Sequence, residues 1–416
     1  MSENPAEASE LFTVVPPATA WSRLAQHLRP TGRIESLPLA AALGRVTARV
    51  ERSPADLPAF PRSTMDGFAV RADDTYGASE GLPALARVIG EVPMGRTSDL
   101  RLGQGEAALI HTGGTLPAGA DAVVMVENTQ RQGETVEVYR PVAVGENVVQ
   151  VGEDVRRGEV LVPAGHLLRP QDLGALAALG VLAVEVAAKP VVAILATGDE
   201  VVAPEREPAP GQVRDVNSSL LAGLVARAGG EPLPLGIAPD DYPALLDLAR
   251  RGLAAADLLV VAAGSSVSTR DMTARAIGEL GRPGVLVHGV ALRPGKPTIL
   301  ALAGGKPVFG LPGNPVSAFT TAQLFVVPAI WRLLGLAPAP RPATVRARLA
   351  ANVPSAPGRE DYVPVRLVER EGETWAEPVF GKSNLIFTTV RADASLRIPL
   401  DMGGLAAGQM VEVVLY

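Results

Sequence analysis

From residue 190 to about 334 the chain alternates short apolar runs with amphipathic ones, and this alternation constrains the fold more than any other feature. Residues 191–195 (Val-Val-Ala-Ile-Leu) read as a buried strand, too short for a helix and rich in β-branched side chains. Residues 217–228 have the apolar spacing of a helix and end at Gly229-Gly230. A strand-like stretch then runs to Gly236, 243–254 reads as a helix, 258–262 as a strand and 271–280 as a helix. Residues 308–311 read as a strand, followed by a long helix over 314–334. Strands that alternate with helices predict a parallel sheet covered on both faces.

The flanks have a different grain. Residues 15–30 predict a short helix, opened by Pro16 and Pro17, with Trp21, Leu24 and Leu28 on one face. Residues 51–140 consist of short alternating segments between Gly/Pro turns; 107–110, 122–126 and 135–139 read as strands, so this insert is β-rich. A proline-rich linker occupies 335–342, and strand candidates at 344–349, 362–368, 375–379 and 411–415 predict a small all-β terminal domain. At 416 residues the chain exceeds one comfortable core, and its size alone suggests roughly three domains.

Charge and composition exclude several functions. With 38 basic and 44 acidic residues the net charge is −6, whereas a nucleic-acid binder needs a basic face. There is no cysteine, which removes disulfides, thiolate metal sites and cysteine nucleophiles. His27, His111, His166 and His288 are scattered singly, so a His-based zinc site is not expected. The first ten residues lack a charged-then-apolar targeting pattern. The longest apolar run, 318–334, is interrupted by Thr320, Thr321, Gln323 and Arg332 and falls short of a membrane span. A cytoplasmic protein is expected. Only Lys189, Lys296, Lys306 and Lys382 are lysines, against 34 arginines; GC-rich coding explains the bias, and under it a surviving lysine marks a place where arginine is too bulky.

In open parallel α/β sheets ligands bind outside the carboxyl ends of the strands. Three polar, glycine-containing segments follow strands here: Ala196-Thr197-Gly198-Asp199-Glu200, the stretch from Ala263 to Asp271, and Gly310-Leu311-Pro312-Gly313-Asn314-Pro315-Val316-Ser317. Such segments expose backbone N–H groups that suit an oxyanion; the plain alternative is ordinary capped loops. A fourth segment, Arg293-Pro294-Gly295-Lys296-Pro297, is not a Walker loop, because the glycine spacing is wrong and Pro297 stands where Ser or Thr would hold magnesium. It offers two cationic heads on a turn, suited to phosphate or another oxyanion. Asp199, Glu200, Asp240, Asp241 and Asp271 lie near predicted strand ends. Clustered carboxylates are stable together mainly around a shared cation or proton, and oxygen-only ligation fits Mg²⁺. The alternative is that Asp271 is an N-cap and Asp240-Asp241 a turn. In the insert, Ser63-Thr64-Met65-Asp66-Gly67-Phe68-Ala69-Val70 puts an acid before a glycine at a strand start, and Ile110-His111-Thr112-Gly113-Gly114 ends a strand in a polar turn. Gly103-Gln104-Gly105 resembles a dinucleotide fingerprint only superficially, since no helix is expected after it.

Taken in order, these segments resemble the molybdopterin molybdenumtransferase (MoeA) family, which includes the E domain of gephyrin. The resemblance runs through 63–70, Thr112-Gly113, 119–123, Gly152-Glu153-Asp154, 197–200, Asp215-Val216-Asn217, 264–271, 294–297, 310–317 and Pro357-Gly358-Arg359. It implies an α/β multidomain subunit of four domains. These are a discontinuous linking domain (1–50 with 141–187), a β-rich inserted domain (51–140), a MoaB/MogA-like parallel α/β domain (188–338) that binds molybdopterin, and a C-terminal β-barrel (339–416). It also implies a homodimer whose cleft lies between the α/β domain of one subunit and the insert of the other.

The implied reaction inserts molybdate into adenylated molybdopterin with Mg²⁺-dependent release of AMP, forming molybdenum cofactor. By the same resemblance Glu200, Asp240, Asp241 and Asp271 hold magnesium or polarise water, and Asp66, Thr112 and Lys296 join Glu200, Asp241 and Asp271 as catalytic groups. Arg293, Lys296, Arg359 and Ser383 hold phosphate or molybdate, with Pro312 and Pro315 shaping the loop around it. Asp154, Thr197, Asp199, Asn217, Gly264, Ser265, Ser266, Ser268, Gly313 and Asn314 complete the substrate-binding set. Two departures stand out: Val148-Val149-Gln150-Val151 replaces the arginines many relatives carry before Gly-Glu-Asp, although Arg156 and Arg157 are close by, and Ala263-Gly264-Ser265-Ser266 lacks paired glycines. A tungstate-inserting paralogue and a non-catalytic molybdopterin-binding scaffold are the alternatives. A molybdopterin adenylyltransferase and apo-molybdoenzymes are the expected partners, with no nucleic acid and no membrane.

Overall fold

The computed structural model describes residues 14–263 and 267–416, with backbone only for 267–270. It divides into two compact units, Met1–Arg49 with Ala164–Leu168 and Val184–Tyr416, and Val50–Pro163 with Arg169–Ala183.

The first unit is built on a six-stranded sheet. Its strands are β1 (Val191–Thr197), β2 (Glu231–Ala238), β3 (Leu258–Ala263), β4 (Pro283–His288), β5 (Ile299–Ala303) and β6 (Lys306–Pro312), with α1 (Asn217–Arg227), α2 (Tyr242–Ala255) and α3 (Val267–Glu279) between them. The spatial order is β2-β1-β3-β6-β5-β4. The first four of these are parallel, and β5 runs against them, pairing antiparallel with β6 on one side and β4 on the other. The antiparallel pair of β4 and β5 was not legible in the sequence, where only 308–311 read as a strand. Val192, Ile194, Val260 and Phe309 point into one buried cluster, and Ala193, Leu195, Leu259 and Val308 into a second. Both faces of each central strand are therefore buried. This is why these runs read as continuously apolar rather than alternating. Burying one such Val, Leu or Phe is worth about 1.5–3 kcal/mol.

The run Pro315–Leu333 is apolar enough in length and composition to cross a bilayer, but 56% of its 18-residue window is buried inside the protein. Phe319, Phe325 and Ile330 lie in the same cluster as Val192 and Phe309. The run has a π segment over Ala322–Val326. Pro328, in the turn that follows, has no N–H to close the regular helical bond, and a π bulge absorbs the mismatch. Near the N-terminus, the helix Pro17–Ala25 contributes Ala20 and Leu24 to this cluster.

Five further strands, β7 (Thr344–Leu349), β8 (Glu360–Arg370), β9 (Glu373–Pro378), β10 (Ala394–Ile398) and β11 (Met410–Leu415), follow in order β8-β9-β7-β11-β10. The β8–β10 pairing closes them into a barrel. Ala347, Leu349, Val365, Leu396 and Val413 fill its interior, as small barrels require. The two-residue strand Leu292-Arg293 pairs in parallel with Glu360 and Asp361, and Glu360 N–H donates to Ala291 O at 2.8 Å. Phe319 meets Tyr416 edge-on, with ring centroids 4.9 Å apart.

The second unit holds a six-stranded sheet in the order Ala122–Met125, Gly67–Val70, Glu106–Ile110, Ala84–Glu91, Thr135–Val138, Thr129–Gln132. Gly103–Gly105 leads into the strand Glu106–Ile110 and not into a helix, as the sequence implied.

Candidate functional site

Register fixes which loops share an edge of the α/β sheet. Thr197 lies opposite Ala238, Ala196 opposite Ala262, and Ala263 opposite Pro312. The carboxyl ends of β1, β2, β3 and β6 therefore finish together. Because β5 runs antiparallel and starts with Ile299 opposite Gly310, the segment just before it, Arg293–Thr298, emerges at this same edge. The strand order reverses at β1 and β3, which is where open α/β sheets take ligands.

Where this edge meets the barrel, a cleft of about 890 Å³ opens, lined by Arg293, Lys296, Pro312, Asn314, Arg359 and Ser383 among others. All six belong to the expected set. The Asn314 amide Nδ2 donates to Ser383 Oγ at 3.1 Å, and Val316 N–H donates to Ser383 O at 3.1 Å. These bonds hold the third glycine-containing loop against the barrel. Gly295 adopts φ +116°, and a Cβ there would lie 2.4 Å from Thr321 Cγ2 and 2.6 Å from Leu292 Cδ1. Only glycine lets the cationic turn pack this closely on the helix.

Among the charged and hydroxyl-bearing lining residues, sequence reasoning left out Asp361, Tyr362, Lys382 and Thr388. Lys382 carried a usable signal, its rarity. Asp361 is 3% exposed and contacts both Arg359, at 2.9 Å from Nε, and Arg293, at 3.8 Å. Nothing in the local sequence pattern marked it.

The expected carboxylates are arranged differently. Asp199 Oδ1 accepts from Asp240 N–H at 3.0 Å, and Asp241 Oδ2 accepts from Ala244 N–H at 3.0 Å, capping α2. Asp271 is not an N-cap, since it lies inside α3, which begins at Val267. Among the described residues no three His, Asp or Glu side chains gather to hold a metal ion. Thr197 is buried, and the Asn217 amide Nδ2 ties α1 to Gly313 O at 2.7 Å. Asn217 Oδ1 and Ser218 Oγ are buried without a partner among the described residues. Gly264, Ser265 and Ser266, and the side chain of Ser268, lie outside the described residues.

In the second unit Gly67 lies opposite Ile110, so Asp66 and Thr112 leave the sheet at one edge. Asp66 Oδ1 accepts from Thr112 N–H at 2.7 Å and from Thr112 Oγ1 at 3.0 Å. First the backbone bond and then the hydroxyl hold the Asp66 carboxyl below the usual range. His111 Nδ1 lies 3.8 Å from Asp66, and His111 Nε2 lies 3.3 Å from Glu91. Asp154 is exposed, and its N–H donates to Leu57 O at 3.1 Å.

Comparison with known proteins places this geometry. Residues 15–180 match the "MoeA N-terminal region (domain I and II)", 193–332 a "Probable molybdopterin binding domain", and 346–416 the "MoeA C-terminal region (domain IV)". The chain is 34% identical to the molybdopterin molybdenumtransferase of Bacillus subtilis, over 94% of this chain and 91% of the other. It is 33% identical to molybdopterin molybdenumtransferase 2 of Mycobacterium tuberculosis, over 91% and 94%. The crystal structure of the molybdopterin biosynthesis MoeA protein from Pyrococcus horikoshii OT3 superposes with a TM-score of 0.86 at 33% identity, covering 97% of this chain and 100% of that one. The chain belongs to the MoeA family of molybdopterin molybdenumtransferases.

Proposed function

We propose that this chain inserts molybdate into adenylated molybdopterin, releasing AMP and forming molybdenum cofactor. The observation that carries the reading is the cleft in which Arg293, Lys296, Arg359 and Lys382 face one cavity. Molybdate is a tetrahedral dianion, and its pocket needs cations and donors rather than a nucleophile. The dithiolene sulfurs bond to molybdenum as molybdate oxygens leave, and water opens the phosphoanhydride, so AMP departs.

Arg293, Lys296, Arg359 and Ser383 hold phosphate or molybdate, and Pro312 and Pro315 shape the loop beside them. Asn314 lines the cleft, and we assign Asp154, Thr197, Asp199, Asn217 and Gly313 to substrate binding with it. Mg²⁺, when bound, neutralises charge on the phosphoanhydride. The described carboxylates form no protein-only cage; Mg²⁺ instead commonly takes one or two carboxylates together with substrate phosphates. Glu200, Asp240, Asp241 and Asp271 are the residues that would hold it in that shared mode. We place Asp66 and Thr112 in the cleft of the opposite subunit of a homodimer, in a cytoplasmic enzyme supplied by a molybdopterin adenylyltransferase and delivering to apo-molybdoenzymes.

The test is incubation of purified protein with adenylated molybdopterin, Mg²⁺ and molybdate, following AMP release and reconstitution of a cofactor-free molybdoenzyme. Both are expected, and both should fail in Asp271→Asn. Binding without AMP release would leave a carrier or scaffold in place of a transferase.

A further inference from the structure

The cleft contains a carboxylate that a simple account of anion binding would not want. Asp361 sits on β8, nearly fully buried, in a wall that otherwise presents Arg293, Lys296, Arg359 and Lys382. Judged by charge alone, it opposes the binding of any oxyanion there. Its contacts explain its presence. Arg359 Nε lies 2.9 Å from Asp361 Oδ1, and Arg293 Nη1 lies 3.8 Å from Oδ2, so each carboxylate oxygen faces one guanidinium. Arg359 belongs to the barrel and Arg293 to the turn before β5. The backbone already joins these two segments, since Arg293 lies opposite Asp361 in the short parallel pairing. The two guanidinium groups remain substantially solvent-exposed, at 64% and 36%, while the carboxylate between them is 5% exposed. Two long side chains, free to move on the water side, are thus fixed from the protein side by one buried acid.

We propose that Asp361 is a positioning residue, whose buried carboxylate sets Arg293 and Arg359 as a fixed pair of anion-binding groups. Their pre-organisation lowers the entropy lost when an oxyanion is bound. It also keeps two like charges close without an anion present. This inference rests on the proposed anion-binding role of the cleft and adds a residue to it.

The sign of one effect decides the matter. Removing Asp361 takes a negative charge from a cationic wall, so electrostatics alone predicts tighter anion binding, whereas positioning predicts weaker binding. Molybdate and inorganic phosphate are titrated separately into the full-length protein by calorimetry, for wild type, Asp361→Asn, Arg359→Ala and the double variant. Wild type is expected to bind molybdate, and Asp361→Asn to bind it about tenfold more weakly. In the Arg359→Ala background, the same change should lose most of its effect, because Asp361 acts through the arginines. Equal or tighter binding by Asp361→Asn, or full additivity in the double variant, overturns the positioning role and leaves the cleft reading standing. No binding of either anion by wild type overturns the cleft reading, and this inference with it. Should Asp361→Asn melt before titration, Asp361→Glu takes its place. It keeps the charge but moves the carboxylate by one methylene, and unchanged affinity in that variant overturns the proposal.

Discussion

The cations that line the cleft and the carboxylates further along the same sheet edge are held in different ways. Arg293 and Arg359 come from two segments far apart in sequence and converge on one buried acid, Asp361. Asp241 satisfies an N–H group at the start of its own helix, and Asp199 accepts the Asp240 N–H of the neighbouring loop. The cations gather around a shared carboxylate that faces the cleft, while Asp199 and Asp241 are engaged by backbone N–H groups whatever else they do. An acid that already serves as a cap must be shown to have a second role.

The largest effect should come from the cationic side. Lys296→Ala is expected to lower kcat/KM for AMP release by roughly 10²–10³, the scale of losing one charged donor at a developing anion. The fall should appear in molybdate affinity as well. A variant that loses catalysis but keeps full molybdate affinity would move Lys296 from the anion to the chemistry and weaken the contrast drawn above.

The next effect is one of stability and isolates the acid of the second unit. A Cβ at Gly67 would lie 1.9 Å from Val124 O, a backbone atom that cannot step aside. Gly67→Ala should therefore cost about 2–3 kcal/mol in that sheet and displace Asp66, the adjacent residue. Calorimetry of this variant should show a lowered transition for the second unit while molybdate affinity in the cleft is retained. AMP release should fall with Asp66 displaced, and loss of anion affinity as well would mean that Asp66 and Thr112 shape the anion pocket and do not act in the chemistry alone.

Asp241 tests whether a cap is also a catalytic group. Asparagine caps helices as well as aspartate does, so Asp241→Asn should keep the fold and the molybdate affinity. Its Mg²⁺-dependent AMP release should fall about tenfold, the loss of one charge-assisted contact. Unchanged AMP release would leave Asp241 as a cap alone.

The two kinds of site were also unequally legible in the sequence. The α/β alternation was readable because both faces of β1, β3 and β6 are buried, which writes each strand as a short continuous apolar run. The antiparallel β4 and β5 were missed; β5 is as fully buried as its neighbours, but its run Ile299–Ala303 passes directly into the turn Gly304-Gly305, with no helix to mark its boundary. The loops at the carboxyl edge were readable from glycines and small polar residues, since those reflect local backbone demands. Asp361 was not, because its role depends on Arg293, 68 positions away in the chain, and no local pattern encodes a partner at that distance. Likewise, the side-chain pattern around Asp271 resembled a helix start, but the helix starts earlier, at Val267.

The smallest effect concerns the barrel that carries Arg359 and Asp361. On the same strand Glu360 is buried, and burial opposes its ionisation. Arg397, at 2.7 and 2.8 Å, and the Tyr362 hydroxyl, at 2.6 Å, outweigh that and hold its carboxyl below the usual range. Burial first, then the bond to Glu360, push the Tyr362 hydroxyl well above its ordinary value, so it stays a donor. A carboxyl depressed in the folded state adds stability above its unfolded pKa, about 4.3, and that stability is lost as pH falls through the lower folded value. Because Arg397 is more than half exposed, water takes up its charge when the pair breaks, and the contribution is modest. Glu360→Gln should lower the melting temperature of the barrel by about 2–4 °C at pH 7, and the gap to wild type should close below about pH 4 as wild type loses the same charge. A gap of the same size at pH 3 and pH 7 would mean that shape and hydrogen bonding, not the ion pair, hold β8 in place. Asp361 would then be placed by the packing of its strand and not by the Glu360–Arg397 pair.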